Sequence, residues 1–133
     1  MAEIQIEVIE PTRYKVQGKY DHIIVPGIDG DFGVDLNHTP FITKIRPGVL
    51  QLYKGQNLEK LAIHDGFVTV ENNHVIIVCD TVEKDSEIDE SRATAARERA
   101  EKRLKGSSEE IDFRRAEFAL KKALIRLELS HNW

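Results

Sequence analysis

The sequence predicts an α+β protein, with an antiparallel β-sheet domain at residues 1–84 and an antiparallel two-helix hairpin at residues 85–133. Up to about residue 84 the apolar side chains alternate along the chain or form short runs, as they do in strands. Turn-forming residues separate these runs. From Asp85 onward there is no proline and a single glycine, Gly106, among residues that favour helices. Several short strands at this spacing indicate a sandwich or a barrel.

The first strand is predicted at residues 4–10, where Ile4, Ile6 and Val8 share one face. Further strands are predicted, in order, at residues 22–26, 40–45, 48–53, 58–64, 66–71 and 74–79. Turns are predicted between them because these stretches contain glycine, proline or asparagine, at residues 26–27, 29–31, 47–48, 54–56, 65–66 and 71–73. The domain is long enough to enclose one small core.

Two helices follow, and both carry capping signals. Ser86 is predicted to cap the first helix, with Asp89 as its capping-box partner. Gly106 is predicted to end that helix in the left-handed conformation. Ser107 is then predicted to cap the second helix, with Glu110 at the matching position. The short connection predicts an antiparallel pair.

The facing surfaces of the two helices are rich in alanine, which buries little more than a methyl group per contact. The predicted seam contains Ile88, Ala93, Ala96, Ala100 and Leu104 on the first helix, and Ala116, Ala119, Leu120, Ala123, Leu124 and Leu127 on the second. Such a seam should hold the helices together weakly. Two interpretations remain open: a simple hairpin packed on the sheet domain, or a conformational element that docks in more than one way.

Charge distinguishes the two parts of the chain, whose formal net charge is −4. Residues 92–105 contain six basic and two acidic residues, and residues 114–126 contain five and one. These basic faces indicate a solvated surface, an acidic protein partner or a phosphate ligand. A nucleic-acid-binding module is the alternative, but the acidic first domain would repel a duplex. An absence of aromatic residues on the basic helix faces is a second argument against it.

No catalytic or metal motif is evident in the sequence. The stretch "DGDFGV" at residues 29–34 contains the magnesium-binding tripeptide of kinases, but none of the companion kinase motifs is present, so a glycine turn is predicted. The five histidines have no metal-ligand spacing, and Cys79 is predicted to be a buried structural thiol. The chain start lacks a secretory signal pattern, and no apolar run is long enough to span a membrane.

Four stretches in order make the chain resemble the epsilon subunit of the bacterial F-type ATP synthase. They are "GDFGV…NHTPFITKIRPGVLQL" (30–52), "HDGFVTVENNHVIIVCD" (64–80), "IDESRATAARERAEKRL" (88–104) and "DFRRAEFALKKALIRL" (112–127). The resemblance implies a ten-stranded antiparallel β-sandwich followed by a two-helix hairpin. It implies a non-catalytic rotor subunit of the central stalk, which couples the catalytic head to the membrane ion-translocating ring.

The resemblance also implies the partners and the location of the chain. The sandwich would bind the gamma subunit and the c-ring, and the extended helices would meet the alpha and beta subunits and inhibit ATP hydrolysis. The protein would lie at the cytoplasmic face of the cell membrane, as a peripheral part of the complex. No cofactor or metal would be required.

Particular residues are assigned to these roles by the resemblance. Contacts with the ring or with gamma are expected at Asp29, Asp31 and His38. Inhibitory contacts with the beta subunits are expected at Arg103, Arg114, Arg115, Lys121 and Lys122. A regulatory ATP is expected to bind at Glu83, Ile88, Asp89, Arg92, Ala93, Arg99, Lys122 and Arg126.

Two details qualify the predicted ATP site. Strong binders in the family carry arginine where this chain has Lys122, and lysine lacks the bidentate fork of arginine. Asp89 is also predicted as a helix-capping carboxylate, a role that competes with ligand binding. Beside "DGDFGV", Asn37 is expected to adopt the left-handed conformation, and Phe32 is expected to pack into the sandwich.

Overall fold

A computed structural model describes residues 3–106 and 110–130 of the chain, which divides into two compact units between Glu83 and Lys84. The first unit is all-β. Its strands are β1 (Ile4–Glu10), β2 (Arg13–Tyr20), β3 (His22–Gly27), β4 (Gly30–Val34), β5 (Phe41–Ile45), β6 (Gly48–Lys54), β7 (Asn57–Glu71) and β8 (His74–Lys84). The second unit contains a short 3₁₀ helix, Asp85–Glu87, followed by α1 (Glu90–Gly106) and α2 (Glu110–Ser130).

The strands form a β-sandwich whose two layers share the long strand β7. The first part of β7 pairs with β6, and the part after Gly66 pairs with β5. Asp65, at the bend, has a φ of 49°. A Cβ on Gly66 would lie 2.8 Å from the Cα of Cys79, so only glycine lets β7 approach β8 this closely.

The structure corrects the expected strand count and the expected strand directions. The described residues contain eight strands and not ten. One reason is that Asn57–Glu71 is the single strand β7, so the turn predicted at residues 65–66 is a bend inside it. The sequence prediction also missed β2, on which Val16 is buried and Tyr20 packs against the core as a partly buried side chain, and β4, which was interpreted as part of a glycine turn. The sheet is not purely antiparallel, because β1 pairs in parallel with β8 while it pairs antiparallel with β2. The long excursion from β2 to β7 supplies the crossover that a parallel pair needs.

The sandwich core is formed by the alternating residues of both layers. Ile4, Ile6 and Val8 are fully buried, which confirms the predicted face of β1. Phe32 packs against the core as a partly buried side chain, as predicted. The remaining core consists mainly of Ile, Val and Leu side chains, with Cys79 buried among them.

The helical unit begins differently from the prediction. Asp89, and not Ser86, is the capping residue of α1, because the Asp89 carbonyl accepts from the Ala93 N–H at 3.0 Å. Ser86 lies within the 3₁₀ helix. In this helix the Asp85 carbonyl accepts a hydrogen bond from the Ile88 N–H at 3.2 Å. The helix ends at Gly106 as predicted, but without a positive φ. The predicted cap at Ser107 lies outside the described residues.

The alanine seam is present in the structure, but Leu124, which was predicted to belong to it, is 45% exposed. α1 packs against α2. The alanines at every second turn are the buried ones: Ala93 and Ala100 on α1, and Ala116 and Ala123 on α2. Helices in contact through alanine approach closely but bury little apolar area. The predicted weak attachment of the two helices therefore has a structural basis.

Candidate interaction surfaces

The turn between β3 and β4 forms the first candidate surface, which we call the turn edge and define as residues 27–31 with Arg46. Ile28 and Asp29 occupy the two turn positions, and Gly30, with a φ of 132°, begins β4. Asp31 is exposed, and its charge is paired, because its Oδ1 lies 2.6 Å from Nη2 of Arg46. Asp29 is exposed, and no basic side chain within residues 3–106 and 110–130 pairs with it.

His38 lies apart from these residues, in the connection between β4 and β5. Its Nδ1 lies 2.6 Å from the carbonyl oxygen of Thr39. Its ring lies near Phe32 and Phe41, with ring centroids 6.4 and 6.5 Å away. Asn37, beside it, has a φ of 63°, which confirms the left-handed conformation predicted there. His38 is therefore held against an aromatic cluster at the sandwich surface.

A second surface was missed by the sequence reasoning, the apolar face formed by Ile42, Phe67 and Val78. These side chains are 69%, 57% and 53% exposed, on strands β5, β7 and β8. β5 and β7 are paired so that Lys44 lies opposite Phe67. Asn72 and Asn73 both have positive φ and form a two-residue hairpin turn, which sets Phe67 opposite Val78.

The signal for this face was present in the sequence. The strands at residues 40–45, 66–71 and 74–79 carry apolar residues at both odd and even positions. Strands with one solvated face alternate apolar with polar residues, so apolar residues on both faces indicate that each face is covered by something. Exposed apolar patches of this kind mark surfaces that bind other proteins.

The start of α1 brings together the short motif predicted to bind ATP. Oδ1 of Asp89 accepts a hydrogen bond from the Arg92 backbone N–H at 3.1 Å. The Arg92 side chain is exposed, whereas Ile88 is half-buried and Ala93 is buried. Asp89 therefore acts as a capping carboxylate in this structure, the second of its two predicted roles.

Three basic side chains of α2, Arg114, Arg115 and Lys122, line a shallow groove together with Phe118 and Ala119. We call it the basic groove. Nζ of Lys122 lies 4.9 Å from the centre of the Phe118 ring, one helical turn away. Phe118 is 39% exposed. The prediction that the basic helix faces carry no aromatic residue is therefore wrong, because Phe118 lies beside Lys122. The groove offers cations beside an aromatic surface, a combination suited to an anionic group attached to an apolar one.

The other basic residues predicted to contact ATP or the beta subunits are not among the residues that line the basic groove. Lys121 pairs with Glu117, with 3.7 Å between Nζ and Oε1. Arg103 is exposed in the last turn of α1, and Arg99 is exposed one turn before it. Arg126 is half-buried on α2.

Glu83 belongs to the sandwich unit, at the end of β8. Its Oε1 lies 3.5 Å from Nε2 of His64, a buried residue of β7. The expected contact between Glu83 and ATP stays a prediction.

Within residues 3–106 and 110–130, no cluster of three His, Cys, Asp or Glu residues is arranged to hold a metal ion. In the same ranges, no helix combines the length and the apolar character needed to cross a membrane. Burial raises the pKa of the Cys79 thiol to about 12, and the nearby carboxylates of Glu10 and Asp80 add to this effect. A thiol held protonated in this way is a poor nucleophile.

A β-sandwich with an exposed apolar face, followed by two helices with a basic groove, defines a small two-domain protein of the kind that binds other proteins. Residues 3–85 match the family model of the ATP synthase delta/epsilon chain β-sandwich domain, and residues 86–130 match that of its long α-helix domain. The chain belongs to the ATP synthase epsilon chain family.

Individual relatives agree with this assignment. The chain is 36% identical to the ATP synthase epsilon chain of Desulforamulus reducens over 129 residues, covering 96% of this chain and 98% of the relative. It is 40% identical to that of Caldicellulosiruptor saccharolyticus, covering 97% and 94% of the two chains.

The fold also matches a chain in a structure of the Euglena gracilis mitochondrial ATP synthase, described as OSCP/F1/c-ring in rotational state 1. The TM-score is 0.84 and the identity is 24%, over 96% of this chain and 81% of that chain. At this identity the likeness concerns the fold.

Proposed function

We propose that this protein is a non-catalytic rotor subunit in the central stalk of an F-type ATP synthase, which couples the catalytic head to the ion-translocating ring. The observation that carries the proposal is the match of both units to one family over nearly the whole chain. In this proposal the protein is peripheral, at the cytoplasmic face of the cell membrane, and acts through contacts with other subunits.

The apolar face is the surface best suited to the gamma subunit. Ile42, Phe67 and Val78 expose apolar area on adjacent strands, and removing this area from water favours association. His38 supplies a polar group at another part of the sandwich surface. The turn edge, which carries Asp29 and Asp31, is then the surface proposed to meet the c-ring.

The assembly is tested by co-purification of gamma with the full-length chain and with a Phe67→Glu variant. A buried carboxylate without a partner is costly, so gamma binding should fall at least tenfold, about 1.4 kcal/mol or more. Ile24→Glu, on a half-buried position of β3, and Leu58→Glu, on an exposed position of β7, serve as controls. Unchanged gamma binding by Phe67→Glu would reject the apolar face, and absence of gamma binding by the wild-type chain would reject the function.

The helical unit is proposed to inhibit ATP hydrolysis. Three of its predicted inhibitory residues, Arg114, Arg115 and Lys122, line one groove and can meet acidic segments of the beta subunits. α2 also contacts the 3₁₀ helix that precedes α1, which supports the antiparallel hairpin, since α2 begins beyond the other end of α1. Because the buried alanines of the seam contribute little apolar area, the helices can separate and extend.

Inhibition is tested by measuring ATP hydrolysis of the assembled catalytic complex with the full chain and with a chain ending at Glu87. The truncated chain should give the higher rate while still binding gamma. A triple variant, Arg114→Gln, Arg115→Gln and Lys122→Gln, should reproduce this effect without removing a helix. Equal rates for all three chains would contradict the proposal.

Regulation by ATP is the finer part of the proposed function. Asp89 and Arg92 lie at the start of α1, while Lys122 and Arg126 lie one turn apart on α2. Arg92 is exposed and available to phosphates. Titration of the isolated protein with ATP should shift the amide resonances of Asp89, Arg92 and Arg126 at millimolar ATP. Lys122→Arg should tighten binding, because arginine adds a bidentate donor pair.

Phe118 gives the alternative function, nucleic-acid binding, one supporting observation. An aromatic ring between cations can stack on a base. Binding of a single-stranded oligonucleotide that weakens steeply with salt would support this alternative. If the oligonucleotide does not bind even at low salt, nucleic-acid binding is rejected and the rotor-subunit function is the remaining proposal.

A further inference from the structure

Residues 84–89, which we call the entry segment, lead into α1 and contain a preformed helical turn. The 3₁₀ helix Asp85–Glu87 forms this turn, and the backbone N–H of Lys84 donates to Oε1 of Glu87 at 2.9 Å. A carboxylate that reaches back over three residues to a backbone N–H is half of a capping box, an arrangement that starts α-helices. The entry segment therefore already carries the first turn of a helix, ahead of the start of α1 at Glu90.

Two residues, Ile88 and Asp89, separate this turn from α1. The φ and ψ of Ile88 are −85° and 126°, whereas an α-helix needs about −63° and −42°. The difference at Ile88 therefore lies almost entirely in ψ. No glycine or proline occurs between residues 85 and 105, so the local sequence permits a helix that runs through the break.

The two possible starts of α1 satisfy the same backbone groups in different ways. In the present start, the first N–H groups of α1 precede its ladder of backbone hydrogen bonds, and Oδ1 of Asp89 accepts that of Arg92 at 3.1 Å. If α1 ran back through Ile88, the N–H groups of residues 89–92 would each reach the carbonyl four residues earlier. The straight start thus gains backbone hydrogen bonds and loses the Asp89 cap.

Packing within the helical unit favours the present, bent start. α2 contacts the 3₁₀ turn, and Ile88 is half-buried. Successive residues of a helix lie about 100° apart, so in a straight helix Ile88 would point about 140° away from Ala93, a buried residue of the seam. The turn at 85–87 would also move into line with α1 and away from α2. The bent start therefore fits the closed hairpin, and the straight start fits separated helices.

We propose that the entry segment is a switch between two starts of α1. Asp89 caps α1 when the hairpin is closed, and the turn at Asp85–Glu87 becomes the first turn of a longer α1 when the helices separate. Ile88 is the joint, and Asp89 changes from a capping carboxylate to a side chain on the helix surface.

This inference rests on the proposed separation of the two helices. It adds the place where the chain refolds, and it identifies backbone hydrogen bonds that offset part of the lost contact between α1 and α2. It also accounts for the sequence signal at Ser86, which predicts a helix start three residues before the cap that the structure uses.

The first test locates the start of α1 in the isolated full-length chain by nuclear magnetic resonance. The Cα chemical shift of Ile88 should be that of an extended residue in the wild type. Asp89→Ala removes the cap of the bent start and should raise the helical fraction at Ile88 about fivefold, the factor that corresponds to one cap. Asp89→Asn keeps a good cap and should match the wild type. An unchanged Ile88 shift in Asp89→Ala would reject the second start.

The second test blocks the straight start in the assembled catalytic complex. Proline is well accepted at the first residue of a helix and keeps the residue before it extended, so Glu90→Pro fits the bent start. Inside a longer helix the same proline would break the backbone ladder. Glu90→Pro should therefore raise ATP hydrolysis to near the rate given by the chain that ends at Glu87. Glu90→Ala removes the same side chain without restricting the backbone and should keep the wild-type rate.

Asp89→Ala should act in the opposite direction and hydrolyse ATP more slowly than Asp89→Asn, so the proposal stays testable if Glu90→Pro does not fold. Equal rates for Glu90→Pro and Glu90→Ala would show that the helices separate without a new start of α1, which overturns the inference. If the chain ending at Glu87 also fails to raise hydrolysis, the inhibitory function itself is rejected. The chemical shift of Ile88 in the isolated chain then still decides whether the second start exists.

Discussion

Oδ1 of Asp89 lies 3.1 Å from the backbone nitrogen of Arg92, so the two polar residues of the predicted ATP motif are already joined by a capping hydrogen bond. The carboxylate satisfies one of the four free N–H groups at the start of α1. A ligand that engages this carboxylate has to share it with the helix or replace the bond. Ligand binding and the stability of α1 are therefore coupled at Asp89.

Asp89→Ala should destabilise the helical unit by about 1 kcal/mol, because alanine cannot accept the capping hydrogen bond. Asp89→Asn should retain most of the stability, since asparagine is an equally good cap. Urea unfolding followed by far-ultraviolet circular dichroism measures the difference. Glu98→Ala, on an exposed position of α1, is the control. Equal stability of the alanine and asparagine variants would contradict the capping role.

Gly66→Ala should destabilise the sandwich by about 3 kcal/mol, at the upper end for overpacking, because the added methyl group would collide with the backbone of Val78 and Cys79. The neighbour is backbone and cannot rotate away. Chemical denaturation of the purified chain measures this loss. Gly106→Ala, where a Cβ meets nothing within 4 Å, should leave stability unchanged or raise it. A neutral Gly66→Ala variant would show that β7 and β8 can separate at this point.

The raised pKa of the buried Cys79 thiol predicts that the chain loses stability at alkaline pH. Its thiol has a pKa of about 12 in the folded chain against 9.0 as the reference value. As pH rises above 9.0, the unfolded chain loses this proton while the folded chain keeps it, so the free energy of unfolding falls until pH reaches about 12. Cys79→Ala should reduce this slope. Rapid alkylation of the native thiol at neutral pH, at the rate seen in urea, would contradict the burial.

Ala100→Leu should weaken the packing of the helical unit by about 1–3 kcal/mol, because Ala100 is almost fully buried and has no room for a larger side chain. If the extended helices inhibit hydrolysis, the variant complex should hydrolyse ATP more slowly than the wild type. Ala95→Leu, at a residue that lines a shallow outward groove of α1, is the matched control. A more stable Ala100→Leu variant would show that the seam contains unfilled space.

The alternating pattern predicted the inward face of β1 correctly, because the buried residues Ile4, Ile6 and Val8 occupy alternate positions along the strand. It did not predict β2, because Val16 is flanked in the sequence by the polar residues Lys15 and Gln17. The pair Asp65–Gly66 signals a turn and a bend equally well, and only the proximity of Cys79 decides between them. Local sequence therefore defined the separate strands better than it defined their continuity.

The candidate surfaces were predictable to different degrees. The helix start was predicted three residues too early, at Ser86, because serine and aspartate are both good capping residues, and only the structure shows that Asp89 is the cap. The apolar face depends on the register between β5, β7 and β8, which places Phe67 opposite Lys44. The ion pair of Asp31 with Arg46 joins the β3–β4 hairpin to the connection between β5 and β6. Such long-range contacts have no periodic signal in the sequence.

The parallel pairing of β1 with β8 has a consequence for synthesis of the chain. Gln5 lies beside His74, so the first strand obtains this neighbour only after nearly all of the sandwich has been translated. Contacts between such distant positions slow folding, and β1 leaves the ribosome long before β8 does. The nascent sandwich should therefore remain open, with its apolar strands accessible to chaperones, until residue Lys84 emerges.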